Sequence, residues 1–247
     1  MNSEAQRDIL LISNSTMHGT GYLDHAEAAI RELLGNRREI LFVPFALHDR
    51  LAYTERARER CARMGYRVHA ATEAAARSLQ LDQMDAIFVG GGNTFRLLKT
   101  LYDYGLLEPI RRFVAAGKPY IGSSAGSIVA GPSIKTTKDM PIVEPPSFRA
   151  LGLTEFQISP HYLDPDPNST HMGETQEERI LQFLEENETP VVGLREGSML
   201  RLQGNSVVLK GPLAARVFRR GEPPAECPAN SEISSYLEPV AAESRAR

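Results

Sequence analysis

Short runs of continuous apolar residues alternate along this chain with longer stretches in which apolar residues return every three or four positions. Ile9-Leu10-Leu11-Ile12-Ser13, Ile40 to Val43, Tyr66 to Ala70 and Ala86 to Val89 have strand length and little polar alternation, as strands covered on both faces do. Between them, Tyr22 to Leu34, about Tyr53 to Met64, and Glu73 to Leu81 carry helical spacing, and Gly35-Asn36 and Gly65 stop the first two. Strand and helix alternating at these intervals predict an α/β fold, a mostly parallel sheet with helices on both faces. Ligands on such sheets gather at the carboxyl ends of the strands.

After the fourth strand, Gly90-Gly91-Gly92-Asn93-Thr94 opens an amphipathic helix through Phe95, Leu97, Leu98 and Leu101. Pro119-Tyr120-Ile121 reads as a buried strand, and Ser127 to Ala130 starts a helix, so Gly122-Ser123-Ser124-Ala125-Gly126 must turn sharply between them. Gly131 to Pro146 is loop-like. Glu155 to Ser159 is a further strand, ended by Pro160, and Asp164 to Met172 is a proline-broken loop whose His171 is expected to be exposed and without function. A helix from Gly173-Glu174-Thr175 to about Asn187 leads to the strand Pro190 to Leu194. The segments 199–203, 206–210 and 214–218 read as a C-terminal β-meander closing one edge of the sheet. The expected organisation is a single α/β catalytic domain over 1–220 and a proline-rich, loose tail over 221–247.

Composition narrows the partners. The chain has 247 residues, 42% of them hydrophobic and 24% charged, with a formal net charge of -3. This balance fills a core and offers nucleic acid no basic field, so none is expected as a partner. The polar Met1 to Asp8 stretch and the short apolar run after it suit neither a signal peptide nor a membrane span, which makes a cytoplasmic protein the expectation. No metal-ligand spacing surrounds Cys61 or Cys227, which read as free thiols; no metal and no cofactor are expected.

Gly122 to Gly126 matches the nucleophile elbow G-x-S-x-G, a strained turn that exposes its central serine while small residues let strand and helix cross. The same glycine-rich turn also suits a phosphate cradle or a plain loop. A phosphate loop is disfavoured because no G-x-x-x-x-G-K-[ST] pattern occurs. If Ser124 attacks a carbonyl, the oxyanion needs two backbone donors, and Gly92 beside Ala125 supplies them. His161, just past a strand end, is placed to act as a base, and Glu196 is a carboxylate at another strand end. Serine, histidine and carboxylate then stand in chain order 124, 161, 196, and a triad is identified by geometry rather than order.

Taken together, several blocks resemble the peptidase E (aspartyl dipeptidase) family of serine peptidases: Leu-Ile-Ser-Asn-Ser-Thr at 11–16, Val-Gly-Gly-Gly-Asn-Thr-Phe at 89–95, Gly-Ser-Ser-Ala-Gly at 122–126, Thr-Thr-Lys-Asp-Met-Pro-Ile-Val at 136–143, Ser-Pro-His-Tyr at 159–162, Gly-Glu-Thr at 173–175 and Gly-Leu-Arg-Glu-Gly at 193–197. The resemblance covers the chain to about residue 218. It implies a fold like the class I glutamine amidotransferases, whose elbow nucleophile is cysteine rather than serine. It further implies Ser124 as nucleophile, His161 as base and then acid, Glu196 as its orienting carboxylate, and Gly92 and Ala125 as the oxyanion hole. Asp139, Asn93, Gln176 and Arg179 are the implied substrate contacts, with Asp139 facing the free amino group of a short peptide. Where the family helix opens Gly-Glu-Thr-Arg, this chain has Gln176, a neutral amide that makes no bidentate pair with an aspartate substrate. The expectation is a metal-free dipeptidase acting on short peptides, monomeric or a small homo-oligomer. The alternatives are another N-terminal residue preference, a cyanophycinase-like peptidase, and an inactive binding protein on the same scaffold.

Overall fold

The computed structural model describes residues 7–73, 81–170 and 172–238. The helix expected over Glu73 to Leu81 falls almost wholly outside these residues, as does His171. In chain order the elements are β1 (Asp8–Ile12), a 3₁₀ turn (Asp24–Ala26), α1 (Glu27–Leu34), β2 (Glu39–Val43), α2 (Arg50–Arg63), β3 (Arg67–Ala70) and β4 (Ala86–Val89). Then come α3 (Thr94–Asp103), α4 (Leu107–Ala115), β5 (Tyr120–Ser123), α5 (Ala125–Ile128), β6 (Gln157–Pro160), α6 (Gln176–Glu186) and β7 (Val191–Leu194). The chain closes with β8 (Met199–Gln203), β9 (Ser206–Lys210), β10 (Ala215–Phe218), β11 (Ala225–Cys227) and α7 (Ser234–Leu237).

Seven strands form one sheet in the order β3-β2-β4-β5-β1-β8-β9. Its first five members run parallel, and β8 and β9 add an antiparallel hairpin beyond β1. The continuous apolar runs have a direct cause here, since alternate residues of each strand enter different cores. Leu10, Ile12, Ile40, Phe42, Ala86, Phe88 and Ile121 pack with α1 and α2 through Ile30, Leu33, Leu34, Tyr53 and Ala57. Ile9, Leu11, Leu41, Val43, Ile87, Val89 and Tyr120 pack on the other face with α3 and α4 through Leu97, Leu98, Leu101, Ile110 and Phe113. Each buried Leu, Ile, Val or Phe side chain here contributes about 1.5–3 kcal/mol of apolar burial.

A second sheet of four strands runs β11-β10-β7-β6, with β6 and β7 parallel and β10 and β11 antiparallel. Two sequence expectations change accordingly. The three C-terminal segments are not one meander: β8 and β9 extend the large sheet, whereas β10 leaves it and pairs with β7. The reason is burial, because Val217 and Phe218 of β10 have apolar neighbours on the small sheet. Nor is the tail loose over its described part. Ala225–Cys227 pairs with β10, and Cys227 and Ile233 are completely buried. Helix α4, which the sequence reading passed over, shows its pattern plainly in Leu107, Ile110, Phe113 and Val114.

Candidate active site

The elbow is built at the end of β5. Ser124 has φ 51° and ψ -110°, a conformation that a non-glycine residue holds only when its surroundings enforce it. They do so through the end of β1, because Ile12 O accepts from Ser124 N at 2.9 Å and from Ser127 Oγ at 2.8 Å. Buried Tyr120 donates its hydroxyl to Gly126 O at 2.7 Å. The flanking glycines are there for space. A Cβ on Gly126 would lie 2.1 Å from Val89 O, and one on Gly122 would lie 2.5 Å from Gly126 O.

Ser124 Oγ lies 2.9 Å from His161 Nε2, and His161 Nδ1 lies 2.7 Å from Glu196 Oε1. A carboxylate only accepts, so Nδ1 carries the proton and Nε2 is left to accept from the serine hydroxyl. His161 follows β6 and Glu196 follows β7, both at strand carboxyl ends. The imidazole and carboxylate side chains are half-exposed, at 41% and 48%. His161 also has positive φ, 52°. Its N–H donates to Ser13 Oγ at 2.9 Å, and that completely buried hydroxyl donates to Leu194 O at 2.8 Å. Ser13 thus straps the ends of β1, β6 and β7 together. Strand length and the 11–16 block mark Ser13 in the sequence, but not this strap.

The glycine loop after β4 meets the elbow, for a Cβ on Gly91 would lie 3.0 Å from Ser124 Cβ. Gly91 N–H is occupied by the hydroxyl of Tyr53 at 2.8 Å, and Asn93 N–H by Ala46 O at 2.9 Å. The N–H groups of Gly92 and Ala125 have no acceptor among the described residues. Gly92 sits at φ 132°, and a Cβ there would lie 2.7 Å from Ala46 O, so only glycine fits.

The remaining expected contacts divide. Asp139 Oδ2 caps α3, accepting from Thr94 N at 2.7 Å, Thr94 Oγ1 at 2.5 Å and Thr137 Oγ1 at 3.1 Å. Its Oδ1 takes no hydrogen bond among the described residues. Asn93 is engaged at both ends of its amide, accepting from Arg96 N at 3.0 Å and donating to Met140 O at 2.8 Å. Gln176 is engaged too: it donates to His161 O and accepts from Leu163 N, each at 3.1 Å. Lys138, which the sequence reading left without a role, donates to Pro160 O at 2.7 Å, Gln176 Oε1 at 3.0 Å and His161 O at 3.2 Å. Burial pushes its ammonium down to about 8. Arg179 is half-exposed, and its only ion pair among the described residues is a loose one with Glu174 at 3.6 Å. Lys138, Gln176 and Arg179 line a cavity of about 90 Å³ whose walls include two further lysine and threonine neighbours, Lys135 and Thr137, and no carboxylate. Among the described residues, no group of three or more His, Cys, Asp or Glu is placed to hold a metal, and no helix is long and apolar enough to cross a membrane.

An elbow serine, an imidazole and a carboxylate thus lie within hydrogen-bond distance of one another in series, at the carboxyl ends of β5, β6 and β7. The chain belongs to peptidase family S51, whose family model matches residues 9–210. It is similar to a Streptomyces coelicolor protein named peptidase E, with 53% identity over 94% of this chain and 95% of that protein. A Drosophila melanogaster protein named probable alpha-aspartyl dipeptidase is 47% identical over 86% of this chain and 90% of its own length. Among solved structures, a peptidase from an acI-B1 Actinobacterium covers 92% of this chain and 96% of its own, with TM-score 0.66 and 16% identity. A crystal structure from Listeria monocytogenes EGD-e covers 84% of this chain with TM-score 0.64 and 24% identity. The last two likenesses speak to the fold.

Proposed function

We propose that this protein is a serine dipeptidase that removes an N-terminal aspartate from Asp-X dipeptides through a Ser124-His161-Glu196 triad. The observation that carries the proposal is the unbroken line of contacts at 2.9 and 2.7 Å from the strained serine to the carboxylate. Ser124 Oγ forms a bond to the scissile carbonyl carbon while its proton passes to His161 Nε2. The oxyanion is met by the free N–H groups of Gly92 and Ala125. His161 then gives the proton to the leaving amine, the C–N bond breaks, and an acyl-enzyme remains. A water, deprotonated by the same imidazole, hydrolyses the ester. Glu196 holds the Nδ1–H tautomer and stabilises the transient imidazolium.

The free Oδ1 of Asp139 suits the substrate's α-ammonium, which limits acceptance to a free N-terminus. In the cavity lined by Lys135, Gln176 and Arg179, the Arg179 guanidinium is the least committed charge and suits an acidic side chain. The names of two relatives, peptidase E and probable alpha-aspartyl dipeptidase, point the same way. Hydrolysis of Asp-Leu, Glu-Leu, Ala-Leu and β-Asp-Arg by the purified protein tests the reading, with Ser124→Ala alongside. Cleavage of Asp-Leu alone, lost in the variant, is the expected result. Preference for Ala-Leu would overturn the specificity, and full activity in Ser124→Ala would overturn the mechanism.

A further inference from the structure

The segment Pro160-His161-Tyr162-Leu163 turns sharply, and it is the turn that aims the imidazole at Ser124. Its central residue has positive φ, a conformation that costs a non-glycine residue about 1 kcal/mol or more unless contacts impose it. From inside the fold, Ser13 Oγ and Leu194 O accept the N–H groups of His161 and Tyr162. The carbonyls of Pro160 and His161 in turn take side-chain donors from the 138 loop and α6. Lys138 Nζ meets both, Pro160 O at 2.7 Å and His161 O at 3.2 Å. Gln176 Nε2 meets His161 O a second time, its Oε1 takes Leu163 N, and the two side chains join at 3.0 Å.

We propose that Lys138, coupled to Gln176, is a positioning residue for His161, a clamp on the outer side of the histidine turn that holds the base in line with Ser124. The proposal rests on the reading of His161 as the general base. An ammonium has three N–H donors, and here it faces three acceptors, two carbonyls and an amide oxygen. A neutral amine has two donors and a lone pair, so one acceptor then faces a lone pair and the clamp loosens. The network therefore requires the charged lysine.

Burial of the lysine head is the largest influence on its titration, and it acts downward. Asp139 on the same loop and Glu196 after β7 favour the charge, while Arg179 on α6 opposes it. The balance leaves the ammonium near 8, so the clamp titrates within the pH range of an ordinary assay. Activity then falls on the alkaline side as Lys138 loses its proton, without any change in the triad itself.

The test is steady-state hydrolysis of Asp-Leu between pH 6 and 9.5 by the wild type, Lys138→Met, Lys138→Arg, Gln176→Leu and Ser124→Ala. Urea unfolding of each variant accompanies the kinetics. Expected for Lys138→Met is a roughly 10-fold or larger loss of kcat at pH 7 with KM within about twofold, a size that one charged hydrogen bond supplies. The alkaline limb of the wild type should vanish in that variant. Lys138→Arg, which keeps the charge, should recover part of kcat and move the limb beyond pH 9. Gln176→Leu, which leaves every ion pair intact, should lower kcat in the same manner and serves should Lys138→Met unfold. Unchanged kcat and pH profile in both Lys138→Met and Gln176→Leu overturns the clamp. A raised KM with unchanged kcat overturns it as well, since Lys138 then meets substrate rather than the turn. Residual activity in Ser124→Ala instead defeats the triad reading on which the clamp depends.

Discussion

Replacing Ser13 by alanine removes one oxygen from the interior and tests whether the histidine turn is held as described. That hydroxyl accepts from His161 N at 2.9 Å and donates to Leu194 O at 2.8 Å. Each hydrogen bond is worth about 1 kcal/mol net, and an orphaned buried N–H adds up to about 1–3 kcal/mol on its own account. Leu194 O keeps a second donor, Tyr162 N at 3.1 Å, so the larger loss falls on His161. The expected destabilisation is about 2–3 kcal/mol, read as a shift in urea midpoint at unchanged m-value. If half of that strain is expressed as misaim of the imidazole, kcat falls about 10-fold, since about 1.4 kcal/mol corresponds to a factor of ten. KM should move little, because Ser13 is buried and faces no substrate. Full destabilisation with wild-type kcat would refute the link from Ser13 to the base. No destabilisation would refute the strap altogether.

Gly92→Ala should lower kcat by about 10²–10³, as loss of an oxyanion donor does, because a Cβ 2.7 Å from Ala46 O forces that loop away from Ser124. Steady-state kinetics with a circular-dichroism check of folding decides it. Burial pushes the thiols of Cys61 and Cys227 up to about 11, so a thiol-specific reagent at pH 7.5 should label neither in the native protein and both in urea. Rapid native labelling with loss of activity would contradict that burial. Lys138 binds a proton more weakly in the folded chain, near 8 against 10.5 unfolded, so its contribution to stability is complete above pH 10.5 and gone below about 8. Urea midpoints should therefore carry a component that rises with pH across that window in the wild type and is absent in Lys138→Met. The clamp opposes stability in the protonation state that function uses.

What the sequence disclosed follows how local each constraint is. The elbow is legible as a motif, since Gly122 answers Gly126 and Ser127 within five residues, although Gly126 answers Val89 at the end of β4. Apolar runs likewise announce β1, β2, β4 and β7, whose bounds fall within a residue of the expected ones. Helix α6 begins at its Thr175–Glu178 capping box as Gly-Glu-Thr foretold. The departure of β10 to a second sheet was not legible, because partner choice depends on which neighbour buries Phe218. The same holds for Gln176 and Asn93. The resemblance implied both as substrate contacts, and their amides also hold backbone groups 15 and 47 residues away in sequence. Ser13 and Lys138 fell in recognisable blocks but gave no sign of their roles, because their partners lie 148 and 23 residues off.

The proposed triad is divided between the two sheets. Ser124 follows β5 at the centre of the seven-stranded sheet, while His161 and Glu196 follow strands of the four-stranded one. Ile158 and Val192 of the small sheet share a core with residues of the large one, and that shared packing sets the spacing between the two halves. The 2.9 Å gap from hydroxyl to imidazole is therefore a vernier reading of sheet alignment. A small slip between the sheets leaves each sheet's own packing intact, yet it lengthens the contact between the proposed nucleophile and base. Turnover is thus the most sensitive gauge of this protein's internal registration, and it should fail well before any spectroscopic sign of unfolding.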